Sequence, residues 1–548
     1  MKNNIVAFFS LLMRRKMLLK RSVGEMPREM TSSAVFVLGV SASIGISVFD
    51  MYPIMKAYGG PSIISFPFAG IFQSVAVLCY CEMASIKPCM GGPYHYAYQM
   101  LSEFEAFLIG WVLMLCLLAG VSYRLKYISS LLDVIFFDGN LSSREKSAMP
   151  LPSNFYFLSE FPDLLALIIS FTLAGLLSLG ESESARYILA CFCACLMYLT
   201  ILILTSVGFG DYTVFQTLQI GRLDVLLDSY LPCSQDYVYI FLLSFLGEET
   251  VAANETLPAT MLRLYICCLL WNTIYPVLML LNFQREDDEL NSVRRLLERY
   301  DLSGLHVLVL YGVIGGSLCS VFLLMMSLER LILSMSRDGL LFKLFVNVAH
   351  SSDTYVAPSF FIGLLSGFLA VFFNLKILRE VFVSTNMIAA ILGPLFVLKS
   401  RYLWSIDYVW LYANRERPEP GILTNVVVTI LGLSVAAVGY FLCLSIRHVK
   451  NYGDLVVTKF PMTYIIVIIL FSFVALCTFI TLLFLPQNPI VSKYKIWGVP
   501  FTPIFSIFLH AATGPLIVTE AYSILTGWVI LGLFVYFFYS ITNSQEDI

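Results

Sequence analysis

The chain has 548 residues, of which 58% are hydrophobic and only 13% charged, and its formal net charge is −3. Its mean hydropathy of +0.81 is too high for a soluble globule, and scattered basic residues under a net negative charge argue against a nucleic-acid partner. Apolar runs recur at about 20 residues, the length that crosses about 30 Å of hydrocarbon at a rise of about 1.5 Å per residue, so the lipid bilayer is the first partner the sequence names.

The N-terminal tail, 1–32, opens with a modest apolar run and then carries Arg14, Arg15, Lys16, Lys20, Arg21 and Arg28. That order predicts a cytosolic basic tail, not a cleaved signal. Fourteen spans follow, roughly at 33–52, 61–82, 104–130, 163–180, 187–207, 236–249, 261–283, 304–328, 357–375, 380–398, 421–446, 460–486, 500–519 and 522–541. The predicted fold class is an all-α polytopic membrane bundle, and an even number of crossings puts both termini, including the tail 542–548, in the cytosol.

In the first span small residues cluster mid-helix, from Leu38 to Phe49: Ser41, Ala42, Ser43, Ile44, Gly45, Ile46 and Ser47 lie at its centre. Close helix–helix packing through small residues fits this window. A helix broken at the membrane midplane, presenting backbone N–H groups to an anionic ligand group, fits it as well. Glu82 closes the second span. Arg124 and Lys126 lie toward the outer end of the third, where snorkelling to the interface explains both. The loop 131–160 holds the glycosylation sequon Asn140-Leu141-Ser142 on the predicted outer side, whereas Asn254-Glu255-Thr256 falls on the cytosolic side. The fifth span has no Asp, Glu, Lys, Arg or His over 187–204, so it lacks the usual marker of a proton path.

The sixth span is short and ends in Glu248 and Glu249, acids placed to serve a gate or to cap a solvated helix end. Residues 287–300 mix charges at helical spacing and predict a solvated outer helix. Most of the thirteen cysteines lie inside spans and match no zinc or disulfide pattern; Cys233 falls in a predicted outer loop. No nucleophile–base set, phosphate-binding loop or metal cluster is present, so no enzyme activity, metal or cofactor is expected.

These residues resemble a known family. Gly60-Pro61-Ser62-Ile63-Ile64 resembles the AGPS turn of the eukaryotic cationic amino acid transporters, in the amino acid–polyamine–organocation superfamily, and Cys79-Tyr80-Cys81-Glu82 resembles their CYAE. Pro88, Gly91, Tyr94, Tyr96 and Tyr98 follow their P-x-x-G-S-A-Y-x-Y-x-Y stretch, and Phe107 to Trp111 their AF-x-x-GW. Glu183-Ser184-Ala185, Gly247-Glu248-Glu249 and Ser336-Arg337-Asp338-Gly339-Leu340-Leu341-Phe342 are similar to ESA, GEE and the ARDGLLF loop.

The resemblance implies two inverted five-helix repeats, 33–207 and 236–398, then further helices over 421–541. It implies broken helices 1 and 6 around a central amino acid site at Ser41, Ala42, Ser43, Ile44, Gly45, Ile46, Tyr239 and Phe241. It also implies gating or charge roles for Glu82, Lys126, Glu248, Glu249, Arg337 and Asp338. The chain departs from the family at both breaks. Two of three glycines in the first are serine, and in the second F-x-G-F-D becomes Tyr237-Val238-Tyr239-Ile240-Phe241, which favours a more continuous helix than the relatives have. The expected activity is facilitated, ion-independent transport of cationic amino acids across the plasma membrane. Neutral amino acids or polyamines are the alternative cargo, and a non-transporting sensor or scaffold is the rival class.

Overall fold

A computed structural model describes residues 28–137, 139–152, 155–209, 212, 223–282, 306–346, 355–402, 420–452, 462–485, 487 and 492–545. The expected charged helix at 287–300 lies outside the described residues. Eighteen helices are labelled here in chain order: α1 Ser32–Tyr58, α2 Ser65–Ile86, α3 Pro93–Met100, α4 Glu103–Phe137, α5 Asn140–Ala148, α6 Leu164–Ser178, α7 Glu181–Phe209, α8 Leu223–Cys233 and α9 Val238–Leu242, then α10 Ala253–Asn282, α11 His306–Arg337, α12 Val356–Phe372, α13 Leu375–Tyr402, α14 Pro420–Tyr452, α15 Met462–Phe484, α16 Phe501–Ala512, α17 Thr519–Val535 and α18 Ile541–Asn543. Nine of the described helical stretches are long and apolar enough to cross a bilayer, and four shorter apolar helices accompany them. The sixth expected span is a composite of α8, α9 and two 3₁₀ turns.

Helix α11 is the hub. Its most apolar window is 83% buried, against 6% for α15, which turns its Ile, Leu and Phe side chains to the lipid. Glycines let two neighbours close onto α11. A Cβ on Gly312 would lie 2.3 Å from Tyr198 Cβ, and one on Gly315 2.7 Å from the Cys191 carbonyl, both on α7. On α1, a Cβ on Gly45 would lie 1.8 Å from the Gly316 carbonyl oxygen. Without a hydrophobic drive between helices in lipid, such backbone approach is what dispersion packing needs.

The first span therefore departs from the broken-helix expectation. Helix α1 is continuous from Ser32 to Tyr58. Its serines satisfy themselves locally or sideways: Ser41 Oγ donates to the Leu38 carbonyl at 2.9 Å, and Ser43 Oγ lies 2.8 Å from Cys268 Sγ on α10. Serine resists the φ > 0 conformations that an unwound stretch draws on and glycine supplies.

The sixth span differs in the opposite sense. Helix begins at Leu223, inside the stretch expected to be loop, and is interrupted at Ser234–Tyr237 and Leu243–Phe245 by 3₁₀ turns. Pro232 lies at the first interruption, where its missing N–H and its ring disturb the α-helical ladder. Cys233 is accordingly buried in the core and not in a surface loop. At the exposed surface the Lys146 ammonium of α5, 2.5 Å from Glu160, holds that carboxyl below its ordinary range. Asn140 stands exposed at the first turn of α5.

The α1–α11 crossing yields a direct test. Gly45→Ala forces a methyl into the Gly316 backbone, and overpacking of this kind costs about 1–3 kcal/mol. Gly175→Ala on α6 meets nothing within 4 Å. Thermal melts in detergent should show Gly45→Ala clearly destabilised and Gly175→Ala unchanged or slightly raised; equal melts would mean that α1 does not pack as described.

Candidate functional site

Two clusters organise the polar interior. The first surrounds the interrupted sixth span. Gln235 reaches back to the Leu231 carbonyl at 3.4 Å and accepts from Asn386 Nδ2 of α13 at 3.3 Å. Tyr239, fully buried, faces Arg124 of α4. Phe241 stacks on Tyr80 of α2 with ring centres 5.5 Å apart.

Arg124 is 2% exposed. Its Nη1 donates to the Gly120 carbonyl at 2.8 Å, and its guanidinium carbon lies 4.7 Å from the Phe382 ring centre and 5.7 Å from that of Tyr239. Aromatic faces offer a cation a favourable but partial replacement for water. Its Nε and Nη2 have no hydrogen-bond partner among the described residues. The interfacial snorkelling expected for Arg124 is therefore overturned: α4 runs on to Phe137, which leaves this residue well inside the helix. Gly120, one turn earlier, makes the room, since a Cβ there would lie 2.8 Å from Phe382 and 3.3 Å from Arg124 Nη1.

Asp236, 1% exposed, lies on the first 3₁₀ turn, within electrostatic reach of Cys268. The sixth span thus presents an acid from its own backbone break and faces a buried cation from α4.

The residues proposed on α1 do not join this cluster as an open subsite. Ser41, Ala42, Ser43 and Gly45 are buried, Ile44 is half-buried, and Gly45 is pressed onto α11. The side chain of Ile46 lies outside the described residues. A cavity of about 270 Å³ opens elsewhere, between α2, α8, α14 and α16, lined by Phe68, Phe72, Tyr230, Leu442 and Arg447 among others.

The second cluster closes the face that carries residue 30 and the end of α11. Arg330 Nε and Nη2 fork onto Glu249 at 2.8 and 3.2 Å, and its Nη1 reaches Glu329 at 2.7 Å. Glu329 also accepts from Ser359 at 2.6 Å. Arg337 pairs with Glu248 at 3.0 Å and donates to Tyr355 OH at 3.0 Å, while Asp338 accepts from Tyr94 OH at 2.8 Å. Backbone adds to the closure: Met30 N donates to the Glu249 carbonyl at 2.9 Å, and Val251 N to the Met30 carbonyl at 3.0 Å. Of the expected gating residues, Glu248, Glu249, Arg337 and Asp338 meet here.

Glu82 and Lys126 belong to neither cluster. Glu82 is a structural ion pair with Arg401, Oε1 to Nε at 2.7 Å, and also accepts from Ile496 N at 2.8 Å. Lys126 Nζ donates to Ser159 Oγ at 2.8 Å and to the Phe373 and Ala370 carbonyls at 3.0 and 3.2 Å, capping the end of α12.

Residues 29–508 match the family described as amino acid permease. The chain belongs to that family. It is a divergent member of the amino acid–polyamine–organocation superfamily. A human protein named cationic amino acid transporter 4 is 25% identical, over 93% of this chain and 87% of its own length. Two Arabidopsis thaliana proteins, named cationic amino acid transporter 2, vacuolar, and cationic amino acid transporter 3, mitochondrial, are 26% and 24% identical over 69% and 70% of this chain. The alignments span 60% and 64% of those two relatives, less than two thirds of their length.

In this chain the second cluster is graded by burial. Glu249 is 1% exposed and Glu248 21%. Removing one partner of a buried pair costs about 3–5 kcal/mol, because the other charge stays buried; a pair nearer to water loses less, because the charge left behind is partly hydrated. Glu249→Ala should therefore lower the melting temperature several times more than Glu248→Ala in the same detergent. Equal shifts would show that the Arg330 fork is not the dominant lock.

Proposed function

We propose that this permease carries zwitterionic amino acids by alternating access, with the substrate carboxylate at Arg124 and its ammonium toward Asp236. The observation that carries the reading is the buried Arg124 guanidinium, with two donor nitrogens directed at no described acceptor beside the interrupted sixth span. Guanidinium donors match a carboxylate in charge and geometry. A second cation about 5 Å away is disfavoured by about 3 kcal/mol at an effective dielectric near 20. That repulsion speaks against the cationic cargo the relatives' names suggest and more strongly against polyamines, which carry no carboxylate. The uncharged interior of α7 supports facilitated transport without proton coupling. Rocking between two closed arrangements would require the Glu249–Arg330 fork to part and re-form.

Uptake into proteoliposomes tests this. Labelled leucine and glutamine should enter, arginine and putrescine should not, and Arg124→Gln should reduce leucine uptake at least tenfold while leaving the melting temperature near that of the parent. Arginine uptake that survives Arg124→Gln would overturn the assignment. A second reading, a fold retained for sensing without transport, is favoured by the unbroken α1; leucine-dependent stabilisation without any uptake would identify it.

We place the protein in the plasma membrane with both termini cytosolic, on the strength of the basic N-terminal tail. Epitope tags at either end should react only after permeabilisation, and Asn140 should carry a glycan removable by endoglycosidase. Tag labelling on intact cells would invert the orientation.

A further inference from the structure

We propose that residues 540–545 form a latch over the closing cluster and that Ser544 is a phosphorylation site that releases it. This rests on the cytosolic C-terminus proposed above, where kinases have access. After α17 the chain makes a π-helical turn, Tyr536–Ser540, and then α18, which brings it onto the loop that follows Arg337. Ser540 Oγ donates to the Leu340 carbonyl at 2.7 Å, and Gln545 N to the Asp338 carbonyl at 3.2 Å. Gly339 adopts φ +79°, and a Cβ there would lie 2.1 Å from the Asn543 carbonyl oxygen, so the tail lies directly on the loop backbone. Phe342 and Tyr539 add a ring contact at 4.9 Å.

The latch is centred on one carboxylate. Glu103, at 0% exposure, accepts from Ser544 Oγ at 2.6 Å, Tyr98 OH at 2.9 Å and Tyr536 OH at 3.3 Å. Tyr98 lies on α3, whose Tyr94 holds Asp338. Loop, α3 and tail thus share a single hydrogen-bonded cluster that begins one residue after Arg337, the partner of Glu248.

Ser544 is half-buried, and Glu546 and Asp547 follow it in the sequence, an acidic context suited to an acid-directed serine kinase. In the transfer, Ser544 Oγ attacks the γ-phosphorus of ATP. The new O–P bond forms as the bond to the β-phosphate oxygen breaks, ADP leaves, and the kinase base takes the hydroxyl proton. The product carries about −1.5 to −2 charge. It replaces a donor to Glu103 with a dianion facing that buried carboxylate and Asp338, so the tail is expelled and the 338–341 loop loses its cover.

The test uses the purified full-length chain in lipid nanodiscs, incubated with an acid-directed serine kinase and ATP. Mass spectrometry should locate phosphate on Ser544. Hydrogen exchange of the peptides covering 338–342 and 247–252 should then rise fivefold or more, and Ser544→Ala should abolish both effects. Ser544→Glu should raise exchange without kinase; if that variant does not fold, the phosphorylated parent supplies the measurement. Phosphate on Ser544 with unchanged exchange would overturn the latch, and exchange raised only by Ser544→Glu, with Ser544 refractory to the kinase, would overturn the modification site. Neither readout depends on orientation or transport, so failure here is separable from failure of the tag or uptake experiments.

Discussion

One guanidinium between two carboxylates fixes the register of one face of this bundle. Arg330 belongs to α11, the most buried of the long helices, and reaches Glu249 at the far end of the sixth span as well as Glu329 beside it. Charges this deep are destabilising unless each has its partner, so the sixth span, the start of α12 through Ser359 and the strand-like contact at Met30 are held in one register. The same argument makes the closure conditional. Moving the sixth span away would part Glu249 from Arg330 and strand the Glu249 charge, while Arg330 and Glu329, on one helix, would stay paired.

The glycine-to-serine changes in α1 acquire their meaning against that frame. An unwound stretch needs residues that tolerate φ > 0 and a cavity to line. Ser41 turns its hydroxyl onto its own helix and Ser43 turns its hydroxyl to α10, so the local hydrogen bonds favour helix, and Gly45 spends its missing side chain on contact with Gly316. The irregular backbone is concentrated in the sixth span, where Pro232 removes a donor and 3₁₀ turns follow. The breaks that the family resemblance assigns to two helices thus fall on one in this conformation.

How far the residues alone foretold this differs from place to place. Span positions were legible because lipid imposes a length that apolar runs report directly, and α4, α11 and α13 begin close to where hydropathy put them. Glu248, Glu249, Arg337 and Asp338 stood out because their loop motifs were kept, and the structure brings them to one face. The start of the sixth span was not, because Asp224, Asp228, Ser229 and Pro232 read as loop when hydropathy is the guide, although Leu223, Val225, Leu226, Leu227 and Leu231 supply an apolar face at helical spacing. Arg124 was misplaced for a simpler reason: a cation near the predicted end of a span looks like an interfacial anchor until the helix proves longer. The signal that could have corrected it was Gly120, a small residue one turn away that clears space for a guanidinium.

Arg124 and Lys126 show why two cations one turn-fraction apart need not share a role. Successive positions on a helix are about 100° apart, so residues two apart point to nearly opposite sides. Lys126 faces the carboxyl end of α12, where its ammonium meets three oxygens and completes a helix terminus. Arg124 faces the sixth span and α13, where it meets rings and a single carbonyl. A lysine in its place would concentrate the charge on one strongly hydrated nitrogen; guanidinium spreads that charge over a plane that stacks on Phe382 and still directs donors outward. The energetic asymmetry behind the proposed reading follows: a carboxylate at Arg124 would complete an incomplete set of hydrogen bonds, whereas a second cation would add repulsion where acceptors are already short. Under the proposed reading, selectivity by net charge resides in α4, on the helix that faces the break, and the break itself need not carry the discriminating residue.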